Sequence, residues 1–405
     1  MLSTGGAKDF HTAASRKALS AFLVSGLLLA FLGAILPSWG YHLRSDFDVI
    51  GRYFLALNIG LVASVQFAPV LLRRLGVSFV LVIACGLAFT VILYFSFTAP
   101  PVGEWWRFGG FTGMGIASGL LNTAIFQAIS PLYRRDPAAT VNLAGTFFGS
   151  GCLLVTLLIA GAFNTYTVAS ILFLVALIPG FYAIAFVTTS FPAQPPADGR
   201  ASRMLARQFR SAPAILFSLL LFFQFGNEWA IAGWLPLFLI QRLGVSPKTS
   251  LFVLALYWAA LLIGRVLAQF LLPVLSHGKL LMGSVVAAAF GCVILAFTNN
   301  LFGACSGALL VGFGFSTIYP LVVEKIGARF PSYHPGLFNG IFSFALTGGM
   351  LAPWLLGLVA ESWGIRVVVM LPMVGSLMVL VLLLLIWLEA KLRGSDLPQF
   401  ESHRT

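Results

Sequence analysis

The stretch Gln224-Phe-Gly-Asn227-Glu228-Trp229-Ala-Ile-Ala-Gly233-Trp234-Leu-Pro236 lies within an apolar run from about Pro213 to Ile240. That run is long enough to cross a bilayer, and Glu228 falls ~22 Å into it, slightly beyond the middle. Of the twelve acidic residues, Glu228 is the only one far from the end of any hydrophobic run. A carboxyl at that depth costs on the order of 3 kcal/mol unless it meets water, protein or a proton. At about 100° per residue, Gln224, Asn227, Glu228 and Trp234 share one arc of roughly 120°, opposite an aliphatic face. Two readings follow: a packing face whose polar groups bond to neighbouring helices, or a solute and proton face lining a central cavity.

The rest of the composition fits a membrane chain. Hydrophobic residues make up 59% and charged residues 9%, more apolar surface than a water-facing fold of 405 residues can bury. The net charge of +12 does not point to nucleic acid, because the basic residues sit in short connections between apolar runs. Cys85, Cys152, Cys292 and Cys305 all fall inside apolar runs without metal-ligand spacing, so neither a disulfide nor a metal is expected. No hydrolase elbow, P-loop or His/Cys cluster occurs, so no enzyme activity and no cofactor are expected. The basic residues Lys8, Arg16 and Lys17 lead straight into a full-length span, which is expected to be retained.

Twelve apolar runs, at about 18–41, 48–72, 76–97, 105–130, 138–162, 167–190, 213–240, 249–274, 279–298, 301–324, 337–360 and 366–389, predict twelve transmembrane helices. Run length and the lack of period-two alternation exclude a β-barrel. With the N-terminus inside, 17 of 24 Lys and Arg fall on the cytoplasmic side, which predicts cytoplasmic termini in the inner or plasma membrane. Between the sixth and seventh runs, a Pro-rich stretch followed by Arg200, Arg203, Arg207 and Arg210 reads as a linker on the anionic leaflet. The expected organisation is a tail at 1–17, a six-helix bundle at 18–190, a linker at 191–212, a second bundle at 213–390 and a tail at 391–405.

The halves echo each other. Gly33-Ala-Ile-Leu-Pro37 resembles Gly233-Trp-Leu-Pro236, Gly113-Met-Gly115 resembles Gly312-Phe-Gly314, and Asn142 and Gly151 match Asn339 and Gly348. The offsets are 197 to 200 residues, always from span n to span n+6. Two parallel six-helix repeats with a site between them form a known transporter plan.

With these motifs the chain resembles the major facilitator superfamily over essentially its whole length. Within it, the nearest likeness is the fucose/galactose/glucose–proton symporter family. That likeness rests on Phe-Gly226-Asn-Glu228-(4)-Gly233-Trp234, Tyr257-Trp258-(5)-Gly264-Arg265, Gly312-Phe-Gly314-(4)-Tyr319-Pro320 and Gly348-Gly349-Met-Leu-Ala-Pro353. The resemblance implies an all-α fold of two pseudo-symmetric six-helix bundles working by alternating access. Two departures stand out. After span 2 the superfamily carries an acid followed by a basic pair, whereas Pro69-Val-Leu-Leu-Arg73-Arg74-Leu-Gly76 has arginine where the acid belongs. In span 4, where these symporters often carry an acid, this chain has Asn122, so any proton coupling is expected to rest on Glu228 alone.

The expected solute contacts are Gln224, Asn227, Trp234, Asn122, Asn142, Tyr319 and Asn339, with Arg73, Arg74 and Arg265 as gating or structural residues. Trp258, Arg265 and Gln269 share one face of span 8, and Arg265 is expected to bind helix-end carbonyls near the inner gate; contact with an anion or hydroxyl is the alternative. Its depth differs from that of Glu228 by ~10 Å, too far for an ion pair unless a helix tilts. Trp39 and His42 are expected in the interfacial belt. Neutral amides and aromatics outnumber charges on these faces, which suits a neutral polyhydroxylated ligand better than an organic anion. The expectation is therefore a monomeric secondary transporter whose partners are a small solute and the bilayer, most simply a proton-coupled sugar importer. Efflux of an amphipathic drug or lipid-like compound is the first alternative, and a non-transporting receptor or scaffold the second.

Overall fold

A computed structural model describes residues 13–43, 46–135, 137–191, 211–271, 274–329 and 335–392. The expected tails and the linker lie outside the described residues apart from their edges. Every regular element among the described residues is helical.

The first bundle holds α1 (Ala13–Ile35), then the helix Phe47–Thr98, α4 (Glu104–Ala128), α5 (Pro137–Ala162) and α6 (Val168–Val187). A short helical turn, Ser130–Arg135, links α4 to α5. Phe47–Thr98 is two spans, α2 (47–75) and α3 (77–98), joined at Gly76, where φ is 82° and ψ 165°. The second bundle comprises α7 (Ala212–Leu243), α8 (Pro247–Leu271), α9 (His277–Phe297), α10 (Leu301–Ser316, continued by Ile318–Arg329), α11 (Pro335–Trp363) and α12 (Val367–Leu392). Among the described residues ten helices are apolar and long enough to span a bilayer, one of them the α2–α3 pair. The twelfth span, α4, is less apolar because it carries Asn122, Gln127 and a run of glycines. The protein is a multi-pass membrane protein. Its outer surface bears large exposed side chains such as Phe97, Phe181, Phe270, Phe290 and Phe302, which suit lipid and not water.

Gly76 makes the turn between α2 and α3 possible. Its backbone angles fall in a region that essentially only glycine occupies. Gly76→Ala is expected to cost ~1–3 kcal/mol and to lower the unfolding temperature in detergent. Gly86→Ala, at a helical glycine with open space around it, serves as the control and should be neutral or slightly stabilising.

The repeat shows in the packing. A Cβ on Gly115 of α4 would strike the Leu57 carbonyl of α2, and one on Gly312 of α10 would strike the Tyr257 carbonyl of α8. These glycines are 197 apart and their partners 200 apart. Gly115 is therefore the structural counterpart of Gly312, which moves the sequence pairing from Gly113 by two residues; Gly113 instead faces the Val91 side chain. In the same way Gly151 of α5 packs on the α1 backbone at Leu23, and Gly348 of α11 on the α7 backbone at Phe222. The halves meet through α2 against α11 and α8 against α5, contacts that exchange under the repeat, with α1 facing α7.

Candidate functional site

Glu228 stands sixteen residues from the start of α7 and fifteen from its end, at the centre of the helix. It does not face lipid. It is 5% exposed and lines a cavity of about 830 Å³ of empty volume, including the open mouth, between the two bundles. The first bundle contributes Phe22 from α1, Phe126 from α4, Tyr133 beyond it, and Thr140, Val141, Ala144, Gly145 and Phe148 from α5. The second contributes Leu221, Phe225, Glu228 and Trp229 from α7, Arg265 from α8, Tyr319, Val323 and Ile326 from α10, and Phe338 and Phe342 from α11. Apart from Glu228 and Trp229, at the centre of α7, these residues lie in the half of the bundle nearer the start of α1 and the end of α6, here termed the near side.

Glu228 accepts a hydrogen bond from Gln224 Nε2 at 2.9 Å, one turn away on the same helix. Arg265 is the other charged residue of the cavity, and among the described residues no ion pair links the two within 4 Å. The Arg265 Nη1 instead donates to the Gly145 carbonyl of α5, tying α8 to the opposite bundle. Two glycines one turn apart make room for it: a Cβ at Gly145 would sit 3.1 Å from Nη1, and one at Gly149 3.5 Å away. The Arg265 Nε–H has no hydrogen-bond partner although it is shielded from solvent.

The remaining walls are aromatic. Phe342 stands at the hub, with ring centroids 5.2 Å from Phe126, 5.8 Å from Phe225 and 6.2 Å from Tyr319. Deeper in, Phe148 meets Trp229 edge-on at 6.2 Å, and Trp229 meets Trp258 at 5.7 Å. Nearer the mouth, Tyr133 packs on Phe338 at 5.2 Å, and burial pushes its phenol up to about 12, so it acts as a neutral hydroxyl. Such walls present flat apolar surface to a ligand, while Glu228, Arg265 and Tyr319 offer the polar contacts.

On the opposite, far side the halves close on bare backbone. A Cβ on Gly33 of α1 would run into the Ala232 carbonyl of α7, beside Gly233, so the glycines that repeat in the sequence meet across the interface. A Cβ on Gly51 of α2 would lie 2.9 Å from the Trp354 carbonyl and 3.2 Å from Gly357 of α11. No side chain fits between these helices.

The structure brings together only part of the expected set. Glu228, Tyr319 and Arg265 line the cavity; Gln224 touches it through Glu228. Asn227 points to α12, where its Oδ1 fills the space of a Cβ on Gly375. Trp234 is fully buried on the far side, donating to the Pro353 carbonyl at 3.1 Å and packing on Phe47 and Phe54. Asn122 is internal to the first bundle, accepting from Ser25 at 2.7 Å. Asn142 is half-buried and outside the lining. Asn339 is buried beside the cavity, donating to Thr123 at 3.3 Å and so linking α11 to α4. Arg73 and Arg74 are exposed at the Gly76 turn and make no ion pair within 4 Å among the described residues. The Gln269 side chain lies outside the described residues.

The physical reason is a rotation of α7. Taking Gln224 as zero, the lining residues Leu221, Phe225, Glu228 and Trp229 span about 40° to 140°, while the polar arc runs from about −80° to 40°. Glu228 is the residue common to both. One surface expectation also changes. Trp39 is buried among Phe31, Phe95 and Phe111 and does not belong to the lipid belt. Arg107, within the fourth apolar run, is buried, and donates to the Tyr53 hydroxyl at 2.9 Å, to the Thr98 carbonyl at the end of α3 and to the Val102 carbonyl just beyond it. The aromatic cavity wall and the Gly145–Gly149 seat carried no pattern that set them apart from ordinary helix packing.

Comparison with known proteins gives a consistent result. The family model described as Major Facilitator Superfamily matches residues 18–349 and 217–405. A glucose/galactose transporter of Brucella abortus is 24% identical over 167 residues, which is 40% of this chain and 39% of that protein. A glucose/mannose transporter of Bacillus subtilis is 22% identical over 162 residues, 40% of each chain. These matches thus span about two fifths of the length of the curated relatives. Among solved structures, the E. coli fucose:proton symporter superposes with a TM-score of 0.65 at 17% identity, covering 93% of this chain and 99% of that one. The nucleoside transporter NupG superposes with a TM-score of 0.65 at 14% identity, covering 92% and 100%. At such identities these two show a shared fold.

Proposed function

The chain belongs to the Major Facilitator Superfamily of non-enzymatic membrane transporters, and from that premise we propose that it is a proton-coupled secondary transporter of a sugar-like solute. The observation that carries this reading is the placement of Glu228: a carboxyl at the centre of α7, facing a cavity shared by both bundles, with no cation at ion-pair distance among the described residues. A carboxyl so placed can hold a proton while the cavity faces one side and release it on the other. Aromatic rings beside it suit the C–H faces of a sugar ring, and the sugar-transporter names of the partial relatives point the same way.

The cycle we propose is alternating access. In the described state the far side is sealed by Gly33 against α7 and Gly51 against α11, and the cavity lies on the near side. The excess of Lys and Arg in the near-side connections supports a cytoplasmic near side in the plasma or inner membrane, so this conformation is inward-facing. Opening the far side requires the two glycine contacts to part, while α5 and α8 close over the cavity from the near side. Gln224, Glu228, Tyr319 and Arg265 are the proposed solute and proton contacts, with Asn339–Thr123 and Arg265–Gly145 as ties between the bundles.

A second reading has a specific observation behind it. The lining is mostly Phe, Trp, Tyr and aliphatic side chains, which also suits an amphipathic solute. Counterflow in proteoliposomes with hexoses set against a lipophilic dye separates the two. The sugar reading requires a hexose or a hexose derivative to exchange, and exchange of the dye alone would replace it with the amphipathic reading.

A further inference from the structure

We infer that the solute is an acid: a sugar acid or similarly small hydroxylated monocarboxylate whose carboxylate pairs with Arg265 beside a protonated Glu228. This rests on the transport reading above and adds the charge of the substrate. The amides that would favour a neutral polyol, Asn122, Asn142 and Asn227, do not line the cavity. What lines it is a guanidinium that is 6% exposed, bonded through Nη1 to Gly145 and left with a free Nε–H. Arginine stays protonated, and its planar donor fork matches a carboxylate. Among the described residues no acid lies within 4 Å of this buried guanidinium, and once Glu228 is protonated its charge is uncompensated until a carboxylate on the solute pairs with it.

Glu228 supplies the coupling. While ionised, it competes with an incoming anion for the field of Arg265 and repels that anion; once protonated, it leaves Arg265 as the lone charge of the cavity. Substrate affinity therefore rises as pH falls, and by linkage a bound anion favours the protonated carboxyl. The other groups facing the pair are Gln224 on α7, Cys152 on α5, Tyr257 on α8 and Tyr319 on α10, none of them charged near neutral pH. The charge balance is simple: one proton and one monoanion cross together, so the loaded carrier moves no net charge.

The test is counterflow and pH-driven uptake by the wild-type protein in proteoliposomes, using glucose against glucuronate and galactose against galacturonate. At least one uronate is expected to compete about tenfold better than its parent hexose, the scale of one charge-assisted hydrogen bond. An imposed membrane potential should leave its uptake unchanged. Arg265→Gln should abolish the preference and Arg265→Lys should keep part of it, with thermal unfolding reporting that each variant folds. Hexose exchange equal to or faster than that of the matched uronate, or acid uptake driven by potential, would overturn the inference while leaving sugar transport standing. Exchange of neither compound would overturn both.

Discussion

Replacing Glu228 with Gln is expected to abolish pH-driven accumulation while leaving solute counterflow largely intact. Glutamine keeps the shape and can still accept the Gln224 Nε2 hydrogen bond, so the wall of α7 is preserved. What disappears is the titratable group. Each unit of pH gradient supplies about 1.4 kcal/mol per proton, or a tenfold accumulation, and without a carrier for that proton the steady-state ratio falls to one. Counterflow needs only the loaded carrier to return, so it survives. Loss of both activities in a stably folded variant would make Glu228 a solute ligand. Full accumulation at every pH would place the carrier elsewhere.

The second large effect is expected at the far-side seal. Gly51→Leu introduces a side chain whose Cβ alone would lie 2.9 Å from the Trp354 carbonyl, and Gly33→Leu meets the Ala232 carbonyl directly. Neither backbone can yield without separating the bundles. Overpacking of this kind costs ~1–3 kcal/mol, but only in the state that closes the seal. The conformational equilibrium then shifts by roughly 5- to 150-fold toward the state open on the far side. Counterflow should fall accordingly. A cysteine placed at Phe47, buried in that seal against Trp234, should gain reactivity toward an impermeant maleimide. Unchanged reactivity with normal flux would mean that the glycine contacts do not gate access.

These expectations draw on features that differ in how far they could be read from the sequence. Hydropathy and length alone yield the twelve spans, since a helix must bury its backbone in lipid over about 20 residues. The paired glycines gave away the repeat, because close helix packing excludes side chains at equivalent places in both halves. Even so, only the backbone contacts of Gly115 and Gly312 show which glycines correspond. Glu228 was legible because a carboxyl at that depth is too costly to be incidental. The orientation of α7 was not. Polar side chains inside a membrane bundle can be satisfied by neighbouring helices as well as by a ligand, and Asn122 and Trp234 took that course, while Asn227 is packed against α12. Their polarity therefore marked helix contacts, whereas the cavity face reads as ordinary apolar sequence broken once by Glu228. Arg265 follows the same logic: its depth argued correctly against an ion pair, but its seat depends on two glycines of the other bundle.

The central claim, that solute and proton cross together through the cavity beside Glu228, is tested most directly by following external pH in a weakly buffered suspension of proteoliposomes. Adding a transported solute should raise the external pH as protons enter with it, and the Glu228→Gln protein, still competent in counterflow, should give no such signal. Solute entry through the wild-type protein without any pH change, or an equal change through the Glu228→Gln protein, would contradict it.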